Sequence, residues 1–126
     1  MAAERSKTIL LVNDNPRWLK VLRELLTSMG FTVIPAHDGM EAFRLARGYL
    51  PDVVVSDIWM PTINGFELCK CIRATEITSK IPVILFSNLD MSRERLEQAK
   101  AAGADACLPG SPDLSTLIRK IRELSP

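Results

Sequence analysis

Short apolar runs alternate along this chain with stretches whose apolar residues recur every three or four positions. Thr8 to Val12 (TILLV) is long enough for a buried strand and too short for a helix. Asn15-Pro16 then reads as an N-cap with proline in the first helical turn. Trp18, Val21, Leu22, Leu25, Leu26 and Met29 follow at helical spacing, and Gly30 ends that helix. Phe31 to Pro35 predicts a second strand, and Gly39 to Gly48 a second helix with Met40, Phe43, Leu45 and Ala46 on its apolar face. Asp52 to Ser56 (DVVVS) predicts a third strand, whose consecutive valines imply burial on both faces. A third helix is expected over Phe66 to Ala74, a fourth strand over Ile81 to Phe86, and a fourth helix over Met91 to Ala102, stopped by Gly103. That helix is polar on one side through Arg93, Glu94, Glu97 and Lys100. Ala104 to Leu108 is a short fifth strand. Leu114, Leu117, Ile118, Ile121 and Leu124 give the last helix a clean apolar stripe.

Strands alternating with helices imply a parallel sheet covered on both sides. For five strands the common arrangement is the α/β, flavodoxin-like, doubly wound order 2-1-3-4-5, here with five helices. Ligands of such sheets bind beyond the carboxyl ends of the strands, where the order reverses between strands 1 and 3. The chemistry is therefore expected just after Val12 and just after Ser56.

Composition narrows the function. At 126 residues the chain suits one domain, 1–126, with a core over about 8–124. Sixteen Lys and Arg against fifteen Asp and Glu give a net charge of +1, which points neither to nucleic acid nor to an anionic membrane. No apolar run approaches the roughly 20 residues of a membrane helix, and Met1 to Lys7 carries no apolar segment of a signal peptide. Cys69, Cys71 and Cys107 are odd in number, as expected of free thiols in a reducing, cytoplasmic compartment. Cys-x-Cys on a helix points its side chains apart, and no further Cys or His completes a zinc site.

Polar residues follow the apolar strands where the fold would bind a ligand. Asn13 and Asp14 follow the first strand, Asp57 the third and Ser87 the fourth. One such Asp alone is an ordinary turn former or helix cap. Two carboxylates converging at a switch point repel, and call for a cation or a shared proton. Hard oxygen donors with room for water and phosphate suit Mg2+. No Gly-rich phosphate loop occurs, and no Ser-His or Cys-His pair is evident. His37, the sole histidine, reads as a solvated loop residue.

Asp57-Ile58-Trp59-Met60-Pro61 followed by Gly65 resembles the D-x-x-M-P-x-x-x-G segment of response regulator receiver domains, the phosphoacceptors of bacterial two-component signalling. LLVNDNP at 10–16, GMEAF at 39–43, Ser87 and AAGADACL at 101–108 extend the resemblance over about Thr8 to Leu124. It implies that Asp57 accepts a phosphoryl group from a sensor histidine kinase, a phosphotransfer protein or a small acyl phosphate. It implies that Asp14, Asp57 and the Trp59 main-chain carbonyl hold Mg2+, with Asn13 reaching it through water, and that the Ser87 hydroxyl meets the phosphoryl oxygen. It further implies a signalling module rather than an enzyme, and a partner or homodimer surface on the fourth helix, fifth strand and fifth helix.

Four positions depart from the family pattern. Asn13 stands where most receivers have a second acid. The lysine after the fifth strand is absent: ungapped alignment puts Gly110 there, and alignment on the following proline puts Ser111. Asn88 replaces a small residue after Ser87, and Cys107 replaces the usual aromatic switch. The usual three carboxylates and one lysine sum to −2; two carboxylates and no lysine also sum to −2. Attraction for Mg2+ is thus expected to survive, whereas a charge-assisted donor of roughly 1.5–3 kcal/mol is lost. The reading is a receiver with altered activation. The alternatives are a pseudo-receiver that serves as a phosphorylation-independent interaction module, and an enzyme on a flavodoxin-like fold. The latter would want a hydroxyl-rich phosphate loop after the first strand, and NDNP is the opposite in charge.

Overall fold

A computed structural model describes residues 6–87, 92–109 and 114–125. Five strands, β1 (Thr8–Val12), β2 (Thr32–Ala36), β3 (Val53–Asp57), β4 (Val83–Ser87) and β5 (Ala106–Pro109), form one sheet in the order β2-β1-β3-β4-β5, with every pair parallel. Five helices intervene: α1 (Pro16–Ser28), α2 (Gly39–Tyr49), α3 (Gly65–Ala74), α4 (Arg93–Ala102) and α5 (Leu114–Leu124). The alternation and order expected from the sequence are those found.

The apolar strand runs are continuous because each strand feeds two cores. Leu10, Val12, Val54, Val83 and Leu85 face α2, α3 and α4; Ile9, Leu11, Val53, Val55, Ile84 and Phe86 face α1 and α5. Fully burying one Leu, Ile or Val stabilises by about 1.5–3 kcal/mol, so a one-residue slip in any strand would exchange both layers at once.

Helix ends follow the chain chemistry. Asn15 Oδ1 accepts from the Arg17 and Trp18 amides at 3.0 and 3.2 Å, with Pro16 opening α1. Asn64 and Glu67 make a reciprocal capping box on α3. Gly30 and Gly103 follow α1 and α4 at φ of +96° and +94°, a conformation that glycine adopts without Cβ strain.

Several local expectations are corrected. On α1 the buried line is Leu19, Leu22 and Leu26, whereas Val21 is 47% exposed and Met29 38%. Val21 is one step round the helix from that line, and the sheet covers only one stripe. On α2 the buried residues are Gly39, Ala42 and Ala46, and Met40 is exposed, because this helix lies close against its neighbours through small side chains. The strands β2, β3 and β4 begin one or two residues later than expected and end one later. The parallel ladder continues through Asp57 and Ser87, pairing them with Phe86 and Pro109. A 3-10 turn at Glu76–Thr78, not expected, precedes β4. Asn88, Gly110 and Ser111, which carry two of the departures noted above, lie outside the described residues.

Candidate functional site

The sheet register gathers the polar residues that follow the strands. Val12 pairs with Ser56, so Asn13 is level with Asp57 on the adjacent strand and Asp14 is one residue further out. Asp57 pairs with Phe86, so Ser87 lies one step beyond Asp57 on the other side. Asn13 and Ser87 are buried, Asp57 is partly buried and Asp14 is exposed. The register thus sets all four residues singled out at strand ends on one edge of the sheet, with Trp59 in the loop beyond Asp57.

Each is held in place. The Asn13 amide donates to the Ala36 carbonyl at 3.1 Å, and Asn13 Oδ1 accepts from the Asn15 amide at 2.9 Å. Asp57 Oδ1 accepts from the Ile58 amide at 2.8 Å. Ser56 Oγ donates to the Asp57 carbonyl at 2.8 Å, and the Gly65 amide donates to the Ile58 carbonyl at 2.7 Å. The loop between β3 and α3 is also tied to α2. Thr62 Oγ1 accepts from the Met40 amide at 3.0 Å and donates to Asp38 Oδ1 at 3.2 Å. Thr62 has a φ of +67°, unusual for a β-branched residue, and these two bonds hold it there. Gly39 fits because any Cβ would fall on the Ile63 carbonyl.

Burial lifts the Asp57 carboxyl above its ordinary pKa, and the negative charge of Asp14 adds to the rise; the Ile58 and Trp59 amides oppose it. The two carboxylates therefore share one electrostatic environment that favours a cation. Among the described residues no group of three or more His, Cys, Asp or Glu is gathered. The oxygens this edge would offer a cation are those of two carboxylates, the Asn13 amide and the main chain. Such a set leaves room for several waters on the cation, which fits Mg2+ and not a structural zinc. Trp59 is 42% exposed, its ring edge-on to Phe66 with centroids 6.1 Å apart and beneath the Arg95 guanidinium at 5.7 Å.

A family model of the response regulator receiver domain matches residues 9–122. The chain belongs to that family. Response regulator MprA of Mycobacterium ulcerans is 35% identical over 119 residues, which cover 94% of this chain and 50% of the relative. The chain spans about half the length of the first curated relatives it matches. The chemotaxis response regulator CheY4 of Vibrio cholerae superposes with a TM-score of 0.87 at 28% identity, covering 95% of this chain and 99% of that one. The receiver domain of the sensor histidine kinase PA1611 of Pseudomonas aeruginosa, with magnesium coordinated in its active-site cleft, gives 0.86 at 28% identity, covering 95% and 98%. This chain is thus a receiver domain of two-component signalling, similar in fold to CheY4.

In this receiver, His37 directly follows β2, level with Asn13, and is exposed, its Nδ1 3.1 Å from Glu41 Oε1, as expected of a loop residue. Cys107 lies half-buried in β5, and burial raises its thiol pKa. Cys69 is buried and pushed up to about 11. Sequence reasoning missed Ser56, Thr62 and Arg95. Asp38, three residues before Glu41, had a legible helix-cap signal. Arg95 had none, because its contact with Trp59 joins residues 36 positions apart. No helix among the described residues is long and apolar enough to cross a membrane.

Proposed function

We propose that this receiver domain accepts a phosphoryl group on Asp57 from a histidine kinase or phosphotransfer protein. The observation that carries the reading is the juxtaposition of the raised, partly buried Asp57 carboxyl with Asp14 at the switch point of the sheet. Asp14, Asp57 and the Trp59 carbonyl would hold Mg2+, with Asn13 reaching it through water. Bound there, Mg2+ supplies positive charge to the phosphoryl oxygens.

An Asp57 carboxylate oxygen attacks phosphorus in line. The P–N bond to the donor histidine breaks with its electron pair returning to the imidazole, and a P–O bond to Asp57 forms. The Ile58 amide, 2.8 Å from Asp57 Oδ1, orients the carboxylate so that its other oxygen attacks. Ser87, one register step beyond Asp57, offers its hydroxyl to a phosphoryl oxygen.

Without the family's lysine, arrival and loss of the phosphoryl group are both slow, since one donor to the transition state is lost in each direction. With Cys107 in place of an aromatic ring, the link from Asp57 to the α4–β5–α5 face is weakened; that face is the proposed surface for a partner or a second copy. Retention of Asp14, Asp57 and Ser87 together supports this reading over a phosphorylation-independent module.

The test is incubation with Mg2+ and acetyl phosphate, read by intact mass. Wild type gains one phosphoryl group and Asp57→Asn gains none. Wild type that stays unlabelled, or a variant that is labelled equally, refutes the assignment.

A further inference from the structure

Thr62 stands at a φ of +67°, a left-handed conformation that glycine adopts freely and a β-branched residue rarely does. What threonine adds there over glycine is a hydroxyl, and the hydroxyl is used twice. Its Oγ1 accepts from the Met40 amide at 3.0 Å and donates to Asp38 Oδ1 at 3.2 Å. Accepting and donating through one side-chain oxygen is hydroxyl chemistry, which an amide or carboxylate oxygen does not offer.

Both partners belong to the start of α2. The first N–H groups of a helix find no acceptor inside it. In α2 three of them are satisfied in turn: the Gly39 amide by the Pro61 carbonyl at 3.4 Å, the Met40 amide by Thr62, and the Glu41 amide by the N-cap Asp38 at 2.8 Å. Two of these three acceptors come from the loop between β3 and α3, with Thr62 22 positions from Met40. That loop is therefore part of the N-terminal cap of α2. The junction has no slack, since a Cβ on Gly39 would fall on the Ile63 carbonyl. Asp38 Oδ1 serves the helix and Thr62 together, so a displaced hydroxyl disturbs the cap as well.

The same loop carries Asp57 and Trp59. It leaves β3 at Asp57, and its base is closed by the Gly65 amide on the Ile58 carbonyl at 2.7 Å. Its far side is fixed on α2 by Thr62, and Trp59 lies between the two ties. The segment that holds Asp38 reaches the same edge of the sheet, where His37 is level with Asn13.

We propose that Thr62 is a positioning residue of the metal site: its hydroxyl, clasped between the Met40 amide and Asp38, fixes the loop in which Asp57 and the Trp59 carbonyl meet Mg2+, and passes the state of that loop to the first turn of α2. This rests on the Mg2+ site proposed above. Coupling of this kind is reciprocal: a clasp that favours metal binding is itself tightened by the metal.

The experiment is an NMR titration of the full chain with Mg2+, at a temperature where thermal melts show every variant folded. Hydrogen exchange at the Met40 amide is measured with and without the ion. In wild type, the Met40 amide shifts with the same midpoint as the amides of 57–59, and its exchange slows when Mg2+ binds. Thr62→Val keeps the shape and loses both bonds; it binds Mg2+ about three- to tenfold more weakly, and Met40 no longer responds. Thr62→Ser keeps both bonds and binds within about twofold of wild type. Thr62→Gly takes the positive φ without strain but has no hydroxyl, so it binds as weakly as Thr62→Val. It also keeps the test open if valine at this φ prevents folding.

Thr62→Gly that binds Mg2+ as tightly as wild type overturns the proposal, because the backbone conformation alone would then suffice. Thr62→Ser as weak as Thr62→Val also overturns it, since the methyl and not the hydroxyl would be what matters. If wild type binds Mg2+ and Thr62→Val binds equally well, the role of Thr62 fails and the metal site stands. If Mg2+ moves no amide of wild type, both fail.

Discussion

Gly65 lies so close to Asp57 that a Cβ at position 65 would fall 2.6 Å from the Asp57 carbonyl oxygen and 2.9 Å from the Ile58 Cα. The start of α3 is thereby pressed against the end of β3, and the Gly65 amide holds the Ile58 carbonyl at 2.7 Å. Gly65→Ala must move main chain, not a flexible side chain. It is expected to destabilise by about 1–3 kcal/mol and to weaken the response to Mg2+, because Asp57 and Trp59 shift together. Urea unfolding and a Mg2+ titration of the same variant check both; a variant as stable and as responsive as wild type would show that the contact is slack.

Asp57 sets a dependence of stability on pH. Its folded pKa is raised, chiefly by burial. The folded state therefore holds the proton more tightly than the unfolded state, and the carboxyl destabilises the fold as pH rises through the raised value. Below the unfolded carboxylate range Asp57 is protonated in both states and the effect vanishes. Asp57→Asn is expected to raise Tm at neutral pH by about 2–4 °C, with the gain shrinking as the pH is lowered into that range. Thermal melts across pH, without Mg2+, check it; a gain that grows toward acid would reverse the sign of the argument.

Mg2+ is expected to bind weakly and to change Trp59 fluorescence and the amide shifts of residues 13–14 and 57–59. Asp14→Asn removes one of two carboxylates and should lower the affinity about tenfold or more. NMR titration of both proteins is the measurement. Saturating Mg2+ that moves none of these amides would leave the site without a metal.

Arg73 clamps the opposite end of the sheet. Its guanidinium donates to the carbonyls of Gly103, Ser79 and Ile81 at 3.0, 3.2 and 2.6 Å, and to Asp105 Oδ2 at 2.6 Å, while that same oxygen accepts from the Val83 amide at 2.8 Å. One side chain thus joins the end of α3, the entry to β4 and the turn into β5. Arg73→Ala is expected to cost about 2–4 kcal/mol. Arg73→Lys should recover little, because an ammonium cannot span the fork. Chemical denaturation of both variants decides; rescue by lysine would show that charge alone matters.

The alternation of strand and helix was legible because each parallel strand is an apolar run of few residues, and α1 to α4 each follow a polar N-cap residue. Thr8–Val12 and Leu114–Leu124 end where the pattern puts them. The sheet order followed from the βα alternation, and the site followed from the order. Asn13 and Asp14 follow an apolar strand and Asp57 and Ser87 close one, and the parallel register sets Asn13 level with Asp57, with Asp14 and Ser87 one residue further out.

Only tertiary structure decided the rest. Val21 and Met40 are as apolar as their neighbours, yet they are exposed, since a stripe is buried only where another surface meets it. Ala42, Ala46 and Gly39 matter because α2 lies close to its neighbours, a distance no local pattern encodes. Arg73 meets Asp105 across 32 positions and Arg95 meets Trp59 across 36. Hydrophobic periodicity is a property of one element and can be read from its own residues. A contact between polar side chains on different elements depends on the angle and spacing at which those elements pack, and these are set by the whole core.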